Sequence, residues 1–302
     1  MATLITLTAI VRGYFNNNYA APRIFPEIKV DGFPLKAKTW GKDMFKVVQT
    51  LRAKYANSNI LKIDDSGEIT IEHEVHDLVT EIDLEHEPTL DLNDKKIRAA
   101  KRSQEGLLLR QEVNAATRLQ DLDVYPSGNK VTLSGTDQWS DLDHSNPVKD
   151  VYDGKNAVAA KVGVEPNLMV MAKDVFDVAI FHPQLAMVNP TTLQVTPATV
   201  ETLKARFGVN ELVVAQSLRL NETDGTFVSN WSKTVILLYV NPNPTASKED
   251  MSFGYRFREK KYPFVDDKDI EPGKVIGIRA NDKVNDVILS ADAGYLITGV
   301  IA

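Results

Sequence analysis

The chain has 302 residues, 43% hydrophobic and 25% charged, with 35 Lys+Arg against 41 Asp+Glu and no cysteine. That is ordinary globular composition, enough for one large domain or two smaller ones, and rich enough in apolar residues to offset the entropy of ordering. The lack of cysteine excludes disulfides, thiolate metal sites and cysteine nucleophiles, and a net charge of −6 argues against a dedicated nucleic-acid reader.

Residues 1–35 read as an N-terminal arm. Tyr14-Phe15-Asn16-Asn17-Asn18-Tyr19 is aromatic and amide-rich, and Pro22, Pro26 and Pro34 keep the remainder of the segment extended. Such a segment lies on the body or on a neighbour. Removing residues 1–25 is expected to leave a soluble subunit that assembles badly. The apolar start lacks a basic region and is broken by Arg12, so it is a poor signal peptide. No apolar run approaches the ~18–20 residues of a membrane span.

Residues 36–66 carry Lys36, Lys38, Lys42, Lys46, Lys54 and Lys62 and end in the turn signal Asp64-Asp65-Ser66-Gly67. Ile69, Ile71, His73 and Val75 then alternate with Thr70, Glu72, Glu74 and His76, the period of one strand. The region reads as a long exposed β-excursion. From Asp91 to Leu122 the period becomes helical. Asp91 or Asn93 caps the start, and Ile97, Ala100, Leu108, Ala115, Leu119 and Leu122 form a stripe that Gln104 and Gln111 interrupt. Gly106 is its weak point. Asn146-Pro147 opens a second helix, with Val148, Val151, Val158 and Val162 on its apolar side and Gly163 at its end. Leu168–Met171 reads as a buried strand and Lys173–Phe181 as a short helix. Thr196-Pro197 opens another helix that ends at Phe207-Gly208. Leu212–Ala215, Val235–Val240 and the region after Phe253 read as strands. The order implies an α+β fold with segregated lobes.

Chemistry is sparse. His73 and His76, beside Glu72 and Glu74, are the best metal candidates, but on a strand three residues apart they face opposite sides. Asp141-Leu142-Asp143-His144 reads as a turn former before a cation site, and Asp64 to Glu68 is too short for a calcium loop. No phosphate-binding glycine loop and no nucleophile elbow occur. Arg98, Lys101, Arg102 and Arg110 form a basic helix face, read as a solvated or inter-subunit face ahead of a DNA contact. Asn221-Glu222-Thr223 and Asn230-Trp231-Ser232 match glycosylation sequons by chance. No catalytic, cofactor or metal residue is assigned, and an enzyme is not expected.

Val131-Thr132-Leu133-Ser134-Gly135-Thr136-Asp137-Gln138-Trp139-Ser140-Asp141, followed by Asn146-Pro147-Val148-Lys149-Asp150-Val151, resembles a signature of tailed-bacteriophage major capsid proteins. So do Pro166–Met171 leading to Phe181-His182-Pro183, and Phe207-Gly208-Val209 with Trp231-Ser232-Lys233-Thr234-Val235. The resemblance runs in order from about residue 66 to the end. It implies the Hong Kong 97-like capsid fold: an N-terminal arm (1–35), an extended β-loop (36–77), a peripheral domain with a long spine helix (78–145, the helix over 92–122), an axial domain (146–247), and C-terminal strands (248–302) that return to the peripheral domain, the last strand being open to either the peripheral or the axial domain. By the same resemblance the chain is expected to assemble with itself into pentamers and hexamers of an icosahedral head, in the host cytoplasm and then the virion. The head would enclose double-stranded DNA without sequence-specific binding. A portal and a separate scaffolding protein are the expected partners, with no membrane and no cofactor. An encapsulin-like nanocompartment shares the fold. A metal-dependent hydrolase using His73, His76 and a nearby carboxylate is the alternative of another class, and a tail or adhesion protein is a third.

Overall fold

The computed structural model describes residues 4–38, 47, 50–52, 54, 57–59, 67–85, 91–188, 195–244 and 251–302. The first half of the chain forms α1 (Leu4–Gly13), α2 (Ala21–Ile24), β1 (Glu27–Val30), β2 (Leu35–Lys38), β3 (Glu68–Ile71), β4 (Glu74–Asp83), α3 (Leu92–Leu119), β5 (Lys130–Thr132) and α4 (Pro147–Val162). Then come β6 (Leu168–Ala172), α5 (Lys173–Ala179), β7 (Met187–Val188), β8 (Val195–Thr196), α6 (Val200–Phe207), β9 (Glu211–Ala215), β10 (Leu218–Leu220), β11 (Phe227–Ser229) and β12 (Thr234–Leu238). The last four strands are β13 (Gly254–Glu259), β14 (Phe264–Glu271), β15 (Val275–Ile288) and β16 (Gly294–Thr298).

Two five-stranded sheets organise these elements. The first has the order β5-β16-β12-β6-β9, with β5/β16 and β6/β9 parallel and the inner pairs antiparallel. All of β6 and β12 is buried, because helices and loops cover both faces. Val151, Val158 and Val162 of α4, Val175 and Ala179 of α5, and Leu203 and Phe207 of α6 join this core. Each large aliphatic side chain buried there contributes roughly 1.5–3 kcal/mol relative to exposure. Trp139, fully buried, stacks on Phe207 and donates from Nε1 to Asp150 at 2.9 Å.

The second sheet is built on β15. β4 pairs along one edge of it, while β14 and then β13 share the other, with β1 parallel to β13 beyond. The register places Leu78, Thr80 and Ile82 beside Ala280, Ile278 and Ile276 on the face beneath α3. There Ser103 exchanges a 2.7 Å hydrogen bond with Thr80 and reaches the Ile278 carbonyl at 3.1 Å. Gly106 allows a close approach of α3 to β4, since a Cβ there would overlap the end of the Leu78 side chain. On the opposite face the β4 edge is exposed at Val75, Asp77, Val79 and Glu81, beside Lys283, Asn281, Arg279 and Gly277, while the β1–β13 end is buried in a cluster of Ile28, Val30, Leu35, Ile71, Tyr255 and Phe257.

The two long helices follow their caps. The Asp91 carboxylate accepts the Asn93 amide at 3.1 Å to open α3, and Asn146 accepts the Lys149 amide at 3.0 Å to open α4. α4 stops at Gly163, whose φ of 72° is the left-handed cap that glycine adopts without strain.

Four expectations need correction. Residues 4–13 form a helix, not an extended arm. No proline lies within them, and Leu7 and Val11, one turn apart, bury against Ala99, Ala100, Val265 and Ile278. Arg12 then ties the helix end to the carbonyls of Pro263 (2.9 Å) and Lys261 (2.5 Å). Deleting residues 1–25 would therefore remove part of the subunit's own core. The single strand expected over 69–76 is two, broken after Ile71, where β3 turns to pair with β2. The long helix ends at Leu119, and Leu122 starts a separate 3-10 turn. α6 starts at Val200, because Thr199 and not Thr196 caps it, accepting the Thr202 amide at 3.2 Å. Most of the β-excursion over 36–66, with its Asp64-Asp65-Ser66 turn, lies outside the described residues. β2 and β3 pair antiparallel, Leu35 opposite Ile71 and Lys38 opposite Glu68, so the chain leaves and returns at one place.

Candidate assembly surface

The β10–β11 hairpin stands off the body. Leu218 lies opposite Ser229 and Leu220 opposite Phe227, so Leu218, Leu220 and Phe227 share one face. They are 52%, 55% and 74% exposed. Three large apolar side chains on one face of a two-stranded ribbon form a patch without cover from the chain's own described residues. The tip is rigidified: Asp224 accepts the Thr226 amide at 2.9 Å, and Asn221 exchanges backbone bonds with Thr226 and Gly225.

The root of the hairpin is tied to α3 through a buried carboxylate. Glu112 is fully buried, and its Oε1 accepts from the Ala20 amide (3.1 Å), Ser217 Oγ (3.0 Å) and Trp231 Nε1 (2.7 Å). Its Oε2 accepts from the Ala21 amide at 2.8 Å. Four neutral donors match the roughly four lone-pair sites of a carboxylate, so the charge is compensated without a cation. Asn230 closes the root onto Ser217, amide to carbonyl at 3.0 Å and Nδ2 to Oγ at 3.1 Å. One side chain thus joins α2, the long helix, the hairpin and Trp231.

A second buried network crosses the β15 sheet. Asp282, fully buried, takes a fork from Arg258 (2.9 Å on each oxygen) and a bond from Gln111 Nε2 at 3.1 Å. Arg258 also meets Glu27 on β1. One register step away, Arg256 forks onto Asp286 at 2.6 Å on each oxygen. These networks tie β1, β13, β15 and α3 together beside the apolar cluster that Ile28, Tyr255, Phe257 and Val287 form.

His182, also buried, accepts the Gln184 amide on Nδ1 at 3.2 Å, which leaves Nε2 to donate to Ser145 Oγ at 3.1 Å. Ser145 in turn donates to the Asp141 carbonyl at 2.5 Å. Burial pushes the His182 pKa down, favouring the neutral ring. The serine hydroxyl is spent on a carbonyl and the ring on an amide, so the pair is a structural tie.

The sequence candidates do not converge. His73 lies between β3 and β4 against Phe33, ring centroids 5.8 Å apart, while His76 sits on β4 at 3.3 Å from Glu74. Asp141 accepts the amides of Asp143 and His144 at 3.1 and 3.0 Å and the His144 ring at 3.1 Å, closing a turn. The His144 hydrogen bond holds its pKa below the usual carboxylate range. Of Asp64 to Glu68, only the last two residues are described, with Glu68 paired to Lys36 at 2.8 Å. Arg98, Lys101, Arg102 and Arg110 all face outward from α3. Asn221 accepts the Thr223 amide in a local turn, and Asn230 is buried. Among the described residues, no group of three or more His, Asp or Glu could hold a metal, and no helix is long and apolar enough to cross a membrane.

Glu112, Asp282 and Arg258 went unnoticed in the sequence. Glu112 carried a signal: it falls four residues after Leu108 and three before Ala115, in the middle of the apolar stripe. Asp282 carried none, since its partners lie on strands far away in sequence.

No family model matches the chain. It is 32% identical over 299 residues to the major capsid protein of Burkholderia phage BcepMu, covering 97% of this chain and 95% of that protein. The crystal structure of a phage-related protein from Bordetella bronchiseptica RB50 superposes with a TM-score of 0.78 at 24% identity, covering 97% of this chain and 96% of that one. A virus-like particle from Pyrococcus furiosus has a subunit with the same fold, with a TM-score of 0.55 at 12% identity, covering 97% of this chain and 98% of that one.

Proposed function

The chain belongs to the family of phage major capsid proteins, and from that membership we propose that it is the repeating subunit of an icosahedral phage head enclosing double-stranded DNA. The observation that carries the reading is the 32% identity sustained over 97% of the chain. Head-to-tail contacts that close give the pentamers and hexamers of such a shell. A second copy of the chain covers the Leu218, Leu220 and Phe227 face, which has no use in an isolated subunit.

Within the Hong Kong 97-like plan we assign residues 36–77 to the extended loop, which the β2–β3 pairing closes at its base. Residues 78–145 and α3 form the peripheral domain and its spine helix, residues 146–247 the axial domain, and residues 248–302 the returning strands. β16 then belongs with the axial sheet, since it pairs with β12, and through it β5 of the 78–145 segment reaches the same sheet. Residues 1–35 are the N-terminal segment, folded onto its own subunit at α1. A portal and a separate scaffolding protein complete the head in the host cytoplasm, and the product is the virion.

Electron microscopy of the purified full chain tests this reading. Closed shells of uniform size are expected, and DNA-filled heads when the phage packaging components are present. Tubes, fibres or monomers at every concentration would overturn it. Closed shells that carry an enzyme and exclude DNA would instead establish an encapsulin-like compartment.

A further inference from the structure

We propose that β11 of the hairpin pairs antiparallel with β11 of a second copy across a two-fold axis, and that this pairing joins one ring of the shell to the next; the proposal rests on the phage-head reading. The hairpin ladder decides which backbone groups are free. Asn221 donates to the Thr226 carbonyl at 2.8 Å and Asn230 to the Ser217 carbonyl at 3.0 Å. Hydrogen-bonded pairs alternate along an antiparallel ladder, so Arg219 and Val228 are the bonded pair between these two. The N–H and C=O groups of Phe227 and Ser229 therefore point away from β10. Among the described residues no further strand lies beside β11 to take them.

A second β11 meets these groups in register. Phe227 exchanges N–H···O bonds with Ser229 of the second copy, Ser229 does the same with Phe227, and Val228 faces Val228 on the axis. Charge selects this edge. Among the described residues, every other edge strand of three or more residues carries a charged side chain, β4 the most with Glu74, Asp77, Glu81 and Asp83. Phe227, Val228 and Ser229 carry none. The same two-fold pairing through β10 would set Arg219 against Arg219, and like charges directly opposite are destabilising. A sheet joined through β11 ends on β10 at both sides, so Arg219 guards each outer edge and addition stops at two copies.

The pairing also settles the ribbon itself. A two-stranded hairpin is marginal alone, and two copies make a four-stranded sheet. Leu218, Leu220 and Phe227 share one face, and the second copy extends that face with its own three. Each Phe227 ring lies diagonally across the join, over the small Ser229 of the other copy. The root holds the ribbon in place for this, since Ser217 donates to Glu112 at 3.0 Å and accepts from Asn230 Nδ2 at 3.1 Å. Head-to-tail contacts close a ring of copies but do not tie one ring to another. An isologous contact, the same patch on both copies, supplies that tie.

The chain has no cysteine, so Val228→Cys in the full chain introduces a single thiol. Facing residues of a non-hydrogen-bonded antiparallel pair have Cα atoms about 4.5 Å apart, within disulfide range. The comparison is Arg219→Cys, whose thiols would sit on the outer strands about 14 Å apart, three strand spacings. Assembled shells of each variant are oxidised with diamide, which takes up the two electrons and two protons, and are run on a non-reducing gel. We expect most of the Val228→Cys chain as disulfide dimer and Arg219→Cys as monomer. Val228→Asp, which sets two carboxylates face to face, should leave free rings and no shells by sedimentation and electron microscopy, with unchanged circular dichroism. Val228→Thr should assemble normally. Shells of Val228→Cys that stay monomeric with a titratable thiol would overturn the proposal, because the hairpin would then meet a different surface. Equal crosslinking of both cysteine variants, or normal shells from Val228→Asp, would overturn it too. Each of these outcomes leaves the shell function standing, whereas absence of shells from wild type refutes that function and with it the role of this pairing.

Discussion

The two sheets solve the same packing problem by opposite means. In the β5-β16-β12-β6-β9 sheet β12 and β6 are buried throughout, and apart from Thr234 their side chains are apolar. The β15 sheet also buries apolar clusters, Leu7, Val11 and Ile278 on the α3 side and Ile28, Tyr255 and Phe257 on the other, but it is exposed along β4, and buried charge runs through it: Asp282 with Arg258 and Gln111, Asp286 with Arg256. A sheet enclosed on both faces is held by non-directional burial. A sheet with a partly exposed face has less of that material, and directional bonds add to what sets its geometry. The first kind tolerates rearrangement of similar volumes, and the second does not.

The largest effect is expected at Glu112→Leu, where a directional polar tie joins α3 to the enclosed half. It strands two amides, a hydroxyl and an indole N–H, each costing about 1–3 kcal/mol when buried without a partner, so we expect a loss on the order of 5 kcal/mol in urea denaturation. Glu112→Gln, which still accepts on one oxygen, should lose clearly less. A Leu variant as stable as wild type would mean that the buried carboxylate holds nothing. On the apolar side, Ile236→Ala should cost about 2–5 kcal/mol and Ile236→Val about 1 kcal/mol. A loss that follows volume removed, with no rescue by any polar change, is the signature of that sheet.

Asp282→Asn comes next, at about 3 kcal/mol, because it leaves the Arg258 guanidinium short of its main partner. Adding Arg258→Met should restore part of the stability, and a double-mutant cycle measures the coupling. Strict additivity of the two changes would show that they act separately. His182 gives a smaller, pH-dependent term. Its folded pKa is depressed by burial, so its contribution is complete above the ordinary histidine value near 6.5. That contribution is lost as pH falls through the folded value, because the unfolded ring takes up a proton first. Wild type should therefore weaken between pH 7 and pH 5 more than His182→Gln does; parallel pH profiles would remove the residue from the account. The smallest effect on the subunit is expected at the hairpin. Leu218→Ser with Phe227→Ser should change urea stability by no more than about 0.5 kcal/mol, while shell yield by electron microscopy falls sharply.

This contrast also decided what could be read in the sequence. The enclosed sheet was legible, since Leu168–Met171 and Val235–Val240 are continuous apolar runs with turn signals around them. The helices α3 and α4 were legible from periodicity and from Asp91, Asn146 and Gly163 at their ends. The signature motifs marked the family because they lie on that same half, where Trp139 and Trp231 are buried. The open sheet was not legible in the same way. β4 has Val75 and Val79 on the solvent side, so its alternation does not name its buried face. α1 is rich in β-branched residues, and only its burial of Leu7 and Val11 against partners far along the chain makes it a helix. The ties at Glu112 and Asp282 depend on pairings across up to 171 residues, which no local pattern encodes.

The strand topology also governs the order of folding. β4 pairs with β15, β1 with β13 and β5 with β16, each across more than half of the chain. The enclosed sheet takes β16 from beyond β15, while the open sheet takes β13 to β15 from beyond β12, so neither is a contiguous stretch. Each sheet waits for the other: closing either one requires loops that are entropically unfavourable until the long-range pairs have formed. The subunit should therefore fold slowly and as one cooperative unit, and no excised segment should fold alone. During that interval β4 and β15 are exposed edges, open to pairing with the wrong copy.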